Sequence, residues 1–388
     1  MFKVNCLNKI SPVGMANLTD KYTVTENFEE ADIALVRSAA MHEMQFPASL
    51  KCIARAGAGV NNIPLDRCAE ENIVVFNTPG ANANGVKELA IAAMLLASRD
   101  IVGGVNWVQT VKDDETLDKL VEKGKAKFAG TEIKGKTLGI IGLGAIGGPL
   151  ANAALGLGMK VIGFDPFLSD AAKAALNPAV TLVNSRDEIY VNSDFISVHV
   201  PLIEDADPEK NTKKMINEEK IAKMKDGVII LNLARGALVD DAAMAAALES
   251  GKVRKYVTDF PNTKSANMPG AIAIPHLGAS TEEAEDNCAV MAVKQSVDFV
   301  ENGNIINSVN YPRVDLGAKQ GVRIAVRYDA AANADMQAAV NGVGLVINAV
   351  KDGKRGNVGY CLIDAKEATD AAVVAIKALA GVRTVTVM

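Results

Sequence analysis

Three histidines are the side chains of this chain best suited to carry a proton near neutral pH: His42, His199 and His276. Their settings in the sequence differ. His276 follows the β-rich run 271–274 in the stretch IPHLGAST (274–281). Ligands of an open parallel sheet bind outside the carboxyl ends of its strands, so His276 stands where chemistry is done, with a capping or core role as the alternative. His199 also closes a strand pattern, in SVHVP (197–201), where packing and backbone hydrogen bonding beside a cofactor suit it better than proton transfer. His42 falls in a loop or helix start and is expected in solvent. Arg235 ends the run 228–232 in NLARG (232–236), and a guanidinium there can grip a carboxylate with two parallel hydrogen bonds; a surface ion pair is its other reading. Asp259 follows a strand end as well and can either accept a hydrogen bond from a nicotinamide amide or cap a turn.

A second constellation is Gly142, Leu143, Gly144, Ala145, Ile146 and Gly147. The spacing GxGxxG is weak by itself, but here it follows a strand pattern, opens a helix and precedes a second strand ending at Asp165. Gly142 permits the tight turn, Gly144 lets a pyrophosphate approach the backbone, and Gly147 lets helix and strand pack closely. The helix start at Ala145 and Ile146 offers N–H groups to phosphates. Asp165 lies 18 residues after Gly147, where a carboxylate accepts hydrogen bonds from a ribose and repels a 2′-phosphate, so NAD is expected rather than NADP.

Elements must hold these residues in place. Strands are expected at 2–8, 33–38, 52–56 and 73–77, then at 137–141, 160–164, 195–200, 228–232, 256–258 and 271–274, with helical patterns such as 145–157 and 241–250 between them. Alternation of this kind predicts mostly parallel sheets covered on both faces. The stretch 88–98 is apolar nearly all round, which predicts a helix buried between domains or subunits; 112–127 is charged and predicts an exposed helix and loop. A long helix is expected over 281–302, then a linker at 306–312. The tail reads as strand 322–328, helix 335–340, a hairpin of 345–350 and 358–363 across 351–357, helix 367–379 and strand 382–387, which is the βαββαβ order of a ferredoxin-like unit.

Bulk properties narrow the classes. The 388 residues are 49% hydrophobic and 22% charged with a net charge of -5, enough for two or three domains and without the basic face a nucleic-acid binder needs. No apolar run reaches the length of a membrane span, and no secretory signal pattern opens the chain. Five scattered cysteines without CxxC spacing predict free thiols in a reducing cytoplasm and no metal site.

Several segments together resemble the D-isomer-specific 2-hydroxyacid dehydrogenases: 31–38 (ADIALVRS), 53–63 (IARAGAGVNNI), 77–82 (NTPGAN), the glycine fingerprint, 198–202 (VHVPL), 231–240 (LNLARGALVD) and 275–281 (PHLGAST). The resemblance implies an α/β fold of two doubly wound parallel-sheet domains, a Rossmann NAD domain at 93–275 and a flavodoxin-like substrate domain built from 1–92 and 276–312. It implies NAD as cofactor, Arg235 as the grip on the substrate carboxylate and His276 as acid/base on the C2 oxygen. Arg55, Ser38, Gly57 and Ala58 would face the substrate, and Arg37 would help hold a phosphate. Cofactor contacts would come from Ala145, Ile146, Asp165, His199, Leu233, Asp259, Gly278 and Ala279. The stretches 35–38 and 53–63 point to 3-phospho-D-glycerate as substrate, oxidised to 3-phosphohydroxypyruvate at the entry to L-serine biosynthesis. Glyoxylate or hydroxypyruvate reduction and a non-catalytic NAD-sensing role are the competing expectations.

One departure stands out. The family pattern sets a glutamate after the position of Asp259 to pair with the histidine, but no carboxylate lies between Asp259 and His276. Asp240, Asp241, Glu282 and Glu283 are the loosest of substitutes. The tail, 318–388, resembles an ACT-type module by strand order; it predicts either an amino-acid effector site or a role in assembly alone, with a homodimer or homotetramer expected.

Overall fold

The computed structural model describes all 388 residues. The chain divides into two compact units, 1–82 with 282–388, and 83–281. No helix is long and apolar enough to cross a membrane.

The first unit begins with β1 (Phe2–Cys6), β2 (Tyr22–Thr25), β3 (Ile33–Val36), β4 (Cys52–Arg55) and β5 (Val74–Phe76), a parallel sheet in the order β2-β1-β3-β4-β5. That is one of the common doubly wound orders. The inner strand β3 and the outer strand β5 are buried throughout, as their continuous apolar runs require of a sheet covered on both faces. The edge strand β2 stands outside the expected strands, because YTVT is only four residues long and buries only Tyr22.

In the second unit, β6 (Thr137–Ile141), β7 (Lys160–Phe164), β8 (Thr181–Leu182), β9 (Phe195–Val198), β10 (Val228–Asn232), β11 (Val253–Thr258) and β12 (Ala271–Ala273) form a parallel sheet ordered β12-β11-β10-β9-β6-β7-β8. This is the doubly wound Rossmann order with a seventh strand, where six were expected; the addition, β8, is two residues long. The chain reverses its winding between β6 and β9, so the switch point lies where Gly142 and His199 leave their strands. The helix Ala83–Ser98 packs with this unit. It buries Val86, Ala90, Ala93, Met94 and Ala97 against Leu138, Ile140 and Leu150, while Leu95 stays exposed, so one face is buried rather than the whole circumference.

The tail returns to the first unit as β13 (Val322–Asp329), β14 (Ile347–Arg355), β15 (Val358–Ala365) and β16 (Val382–Val387), an antiparallel sheet ordered β14-β15-β13-β16 with helices Met336–Asn341 and Asp370–Lys377. The βαββαβ order read from the sequence is present. The hairpin is tighter than expected: Arg355 pairs with Val358, leaving only Gly356 and Asn357 in the turn, and Gly356 at φ 56° supplies the left-handed conformation such a turn needs. Alternation along β13 splits the sheet's two faces. Ile324, Val326 and Tyr328 pack under the module's own helices with Met336, Val340 and Ile376. Ala325, Tyr360 and Leu362 instead join a core with Val4, Leu35, Ala54 and Phe299.

The stretch 306–312 is not a linker. Val309 N–H donates to Val75 O, and the Asn310 side chain accepts from Val75 N–H and donates to Ile73 O at 2.8 Å each, docking the segment along β5. Its Asn and Pro content suggested a connection, but an Asn amide carries the same donor and acceptor as a peptide and can stand in for a strand.

Candidate active site

The glycine turn between β6 and the helix Gly147–Gly156 is built as the spacing requires. Gly142 has φ 93°, and a Cβ there would come within 2.4 Å of His199 O. A Cβ on Gly147 would meet Gly142 O at 1.9 Å. A Cβ on Gly144, by contrast, would find nothing within 4 Å. The helix that follows has no side-chain cap. An uncapped helix N-terminus beside an open glycine is the setting a pyrophosphate fits. Asp165, at the end of β7, accepts from Leu143 N–H and Phe167 N–H at 2.9 Å each, so its carboxylate pins the turn and keeps further lone pairs for a ribose. His199 shares a 2.7 Å hydrogen bond with Ser197 Oγ through Nε2, and its Nδ1 is buried without a partner. Burial pushes this imidazole down to about 4, so it is neutral at pH 7.

The strand ends of the same unit bring the two expected reactive residues together. At the end of the fully buried β10, Asn232 is 0% exposed; its amide donates to Arg235 O at 2.9 Å and accepts from Ala234 N–H, turning the chain so that Arg235 emerges into solvent. The guanidinium lies 5.4 Å from the centre of the Phe260 ring. Beyond β12 the ladder continues as His276 N–H donates to Asp259 O at 2.9 Å, and the His276 ring sits 4.4 Å from the same Phe260 ring. His276 takes φ 33°, a left-handed conformation uncommon for a side chain other than glycine. Arg235 and His276 thus border one aromatic ring.

Asp259 is 1% exposed; its Oδ2 accepts from Gly278 N–H at 3.1 Å, whereas Oδ1 is buried with no partner. Burial raises its pKa, and the Gly278 N–H and the nearby His276 and Arg235 only partly offset this. A buried acceptor left open suits a carboxamide N–H donor. Leu233 is buried beside this group, Gly278 likewise, and Ala279 is half-buried. The donor set therefore fits a nicotinamide dinucleotide.

No carboxylate bonds the His276 imidazole. Asp240 caps the helix Asp241–Glu249 and pairs with Lys214 at 3.0 Å, and Asp241 accepts from the Asn262 amide. Glu282 and Glu283 belong to the other unit.

The remaining expected residues lie in the first unit, on the loops after β3 and β4. Arg37, Ser38 and Ala39 donate their backbone N–H groups to a single acceptor, Asn8 Oδ1, at 2.9 to 3.0 Å. Arg55 Nε donates to Arg37 O at 2.9 Å, and a Cβ on Gly57 would crowd the Arg55 guanidinium. Ala58 O accepts from the Asn77 amide at 2.7 Å. These five residues are therefore one cluster, but the Arg37 guanidinium is paired with both oxygens of Glu285 at 3.0 and 2.5 Å. His42 is exposed, with Nε2 3.0 Å from Asn61 O.

Two residues of these sites went unread in the sequence. Phe260 is adjacent to Asp259 and could have been found by extending the strand-end argument one residue. Asn8 organises a loop 29 residues away and leaves no local signal.

Residues 91–278 match the family model described as D-isomer specific 2-hydroxyacid dehydrogenase, NAD binding domain. The chain is 34% identical over 326 residues to a D-3-phosphoglycerate dehydrogenase of Methanocaldococcus jannaschii, covering 81% of this chain and 59% of the relative. It is 40% identical over 278 residues to a hydroxypyruvate reductase of Thermotoga maritima, covering 69% of this chain and 84% of the relative. Among solved structures, the NAD+-bound 3-phosphoglycerate dehydrogenase of Entamoeba histolytica superposes with a TM-score of 0.61 at 28% identity, over 80% of this chain and 98% of that one. The chain spans less than three fifths of the length of the archaeal phosphoglycerate dehydrogenase it matches. By matched residues, strand order and the glycine turn alike, this chain belongs to the D-isomer specific 2-hydroxyacid dehydrogenase family.

Proposed function

We propose that the protein is an NAD-dependent dehydrogenase that oxidises 3-phospho-D-glycerate to 3-phosphohydroxypyruvate, the first step of L-serine biosynthesis. The observation that carries this reading is the placement of a guanidinium and an imidazole, Arg235 and His276, against the same Phe260 ring past the carboxyl ends of β10 and β12. Similarity to the archaeal phosphoglycerate dehydrogenase supports the choice of substrate.

In this reading, Arg235 fixes the substrate carboxylate through paired N–H donors. His276 accepts the C2 hydroxyl proton as the C–H bond breaks, and in reverse its protonated form donates to the ketone oxygen. The nicotinamide, when bound, supplies the acceptor for the hydride. Asp259 Oδ1 orients the carboxamide, Asp165 holds the ribose, and Gly144 with the N-terminus of Gly147–Gly156 takes the pyrophosphate. Arg55, Ser38, Gly57 and Ala58 face the substrate from residues 1–92 and 276–312, with 93–275 as the cofactor domain. The module 318–388 is of ACT type, serving an amino-acid effector or the assembly of a homodimer or homotetramer. Five free thiols support a cytoplasmic setting.

A second reading, reduction of hydroxypyruvate or glyoxylate, has its own support. Glu285 already neutralises Arg37, the cation expected to help hold a phosphate, and the hydroxypyruvate reductase of Thermotoga maritima aligns over most of its length. An NADH-oxidation assay with phosphohydroxypyruvate, hydroxypyruvate and glyoxylate separates the readings. Phosphohydroxypyruvate should give the highest kcat/KM. Turnover of the unphosphorylated acids alone would select the second reading, and NADH binding without turnover would make the protein a sensor. Arg235→Ala should lower kcat/KM on the order of a thousandfold while NADH affinity is unchanged.

A further inference from the structure

Two buried arginines project from the same face of β13, and the structure treats them differently. Arg323 is 0% exposed and saturated: Nε and Nη2 donate to the two oxygens of Asp364 at 2.7 and 2.8 Å, and Nη1 donates to Asn302 O and Gly317 O at 2.7 and 2.9 Å. Arg327 is 8% exposed and has no carboxylate partner. Its only hydrogen bond is a 3.3 Å contact from Nη1 to Thr384 Oγ1, Nε has none, and the guanidinium stacks at 5.6 Å from Phe299 and 5.9 Å from Tyr360. Ring faces stabilise a cation, but they do not replace the hydrogen bonds a buried guanidinium loses with water.

Arg327 also lines a cavity of about 470 Å³ between the C-terminal sheet and the end of the helix Glu282–Asn302. Lys21, Lys51 and Lys319 line it too, against one acidic side chain, Glu301. Lys21 is matched by Glu301 at 2.8 Å and Lys51 by Asp32 at 2.7 Å; Lys319 feels the charge of the same Glu301 without an ion pair, and Arg327 has no acidic partner. Phe299 contributes an apolar wall. A buried guanidinium with unused donors, a second cation held in no ion pair and a cavity partly open to solvent define a binding site for an oxyanion.

We propose that this cavity binds a small phosphate- or carboxylate-bearing anion, with Arg327 as the buried anchor and Lys319 as the cation at its exposed side. The site is independent of the hydride-transfer residues and of the substrate assigned to them. It would couple an anionic metabolite to the junction where the C-terminal module joins the parallel sheet of the first unit.

The test uses the full chain and titrates inorganic phosphate and, separately, succinate at ionic strength held constant with sodium chloride, following Tm and calorimetric binding. Arg327→Met and Lys319→Glu are compared with the unaltered protein, so that any anion bound elsewhere cancels. At least one of the two anions should raise Tm with dose, and Lys319→Glu, at an exposed position that does not threaten folding, should weaken apparent affinity by about tenfold or more. Arg327→Met should abolish the same response, and Arg327→Lys should restore part of it. Equal responses in the unaltered protein and Lys319→Glu, or no response to either anion, would overturn the proposal.

Discussion

At the residue scale, His199 and His276 illustrate how surroundings divide one side-chain type into two tasks. His276 is exposed at a strand end against the Phe260 ring, while His199 has Nδ1 buried and Nε2 bonded to Ser197. The folded His199 titrates near 4 because burial disfavours its charged form, against about 6.5 in an unfolded chain. Between those values the unfolded state binds more protons, so this residue's share of stability is complete above about pH 6.5 and is lost as pH falls towards 4. Asp259 contributes with the opposite sign, since burial raises its pKa; its stabilising share is present at low pH and lost as its carboxyl ionises. Comparing the unaltered protein with His199→Gln isolates the histidine. The variant should show a shallower decline of the urea midpoint between pH 6.5 and 4, and identical slopes would refute the neutral, buried assignment.

At the scale of elements, the turn from β6 into Gly147–Gly156 separates glycines needed for folding from one needed for binding. Gly147 has backbone at 1.9 Å from a would-be Cβ, and Gly144 has empty space. Gly147→Val should therefore cost about 3 kcal/mol or prevent folding. Gly144→Val should keep the unfolding midpoint and lose NADH binding by roughly a hundredfold or more, read by fluorescence titration. The strands of this turn were legible in the sequence because their apolar runs and glycine boundaries are local. The edge strands β2 and β8 were not, since short edges bury too little to impose a pattern. The stretch 306–312 misled in the other direction: its composition is that of a linker, while the Asn310 amide joins it to β5.

At the scale of the whole chain, the C-terminal module shares a core with the parallel sheet of its unit. Tyr360 donates its hydroxyl to Gly303 O at 2.7 Å, and Arg323 ties Asp364 to the end of the long helix through Asn302 O. Removing one member of a buried ion pair leaves the other charge unpaired. Asp364→Ala should lower the stability of this unit by about 3–5 kcal/mol in urea denaturation, and the double change Arg323→Met with Asp364→Leu should recover much of that loss. If the single and double variants were equally unstable, the leftover charge would not be the cause, and the loss would trace to the hydrogen bonds and packing that both variants remove.

The order of β-rich runs, the glycine turn and the positions of Arg235, Asp259 and His276 past strand ends were all determined by the sequence itself. Strand periodicity, turn glycines and winding rules act over a few residues or one βαβ unit. The tertiary structure alone decided that Arg235 and His276 meet the same Phe260 ring, that Glu285 occupies the Arg37 guanidinium 248 residues away, and that Arg323 finds an acid where Arg327 does not. Pairings of that kind depend on which faces meet after the chain has packed, and a side chain's partner across such a distance in sequence leaves no trace in its own neighbourhood.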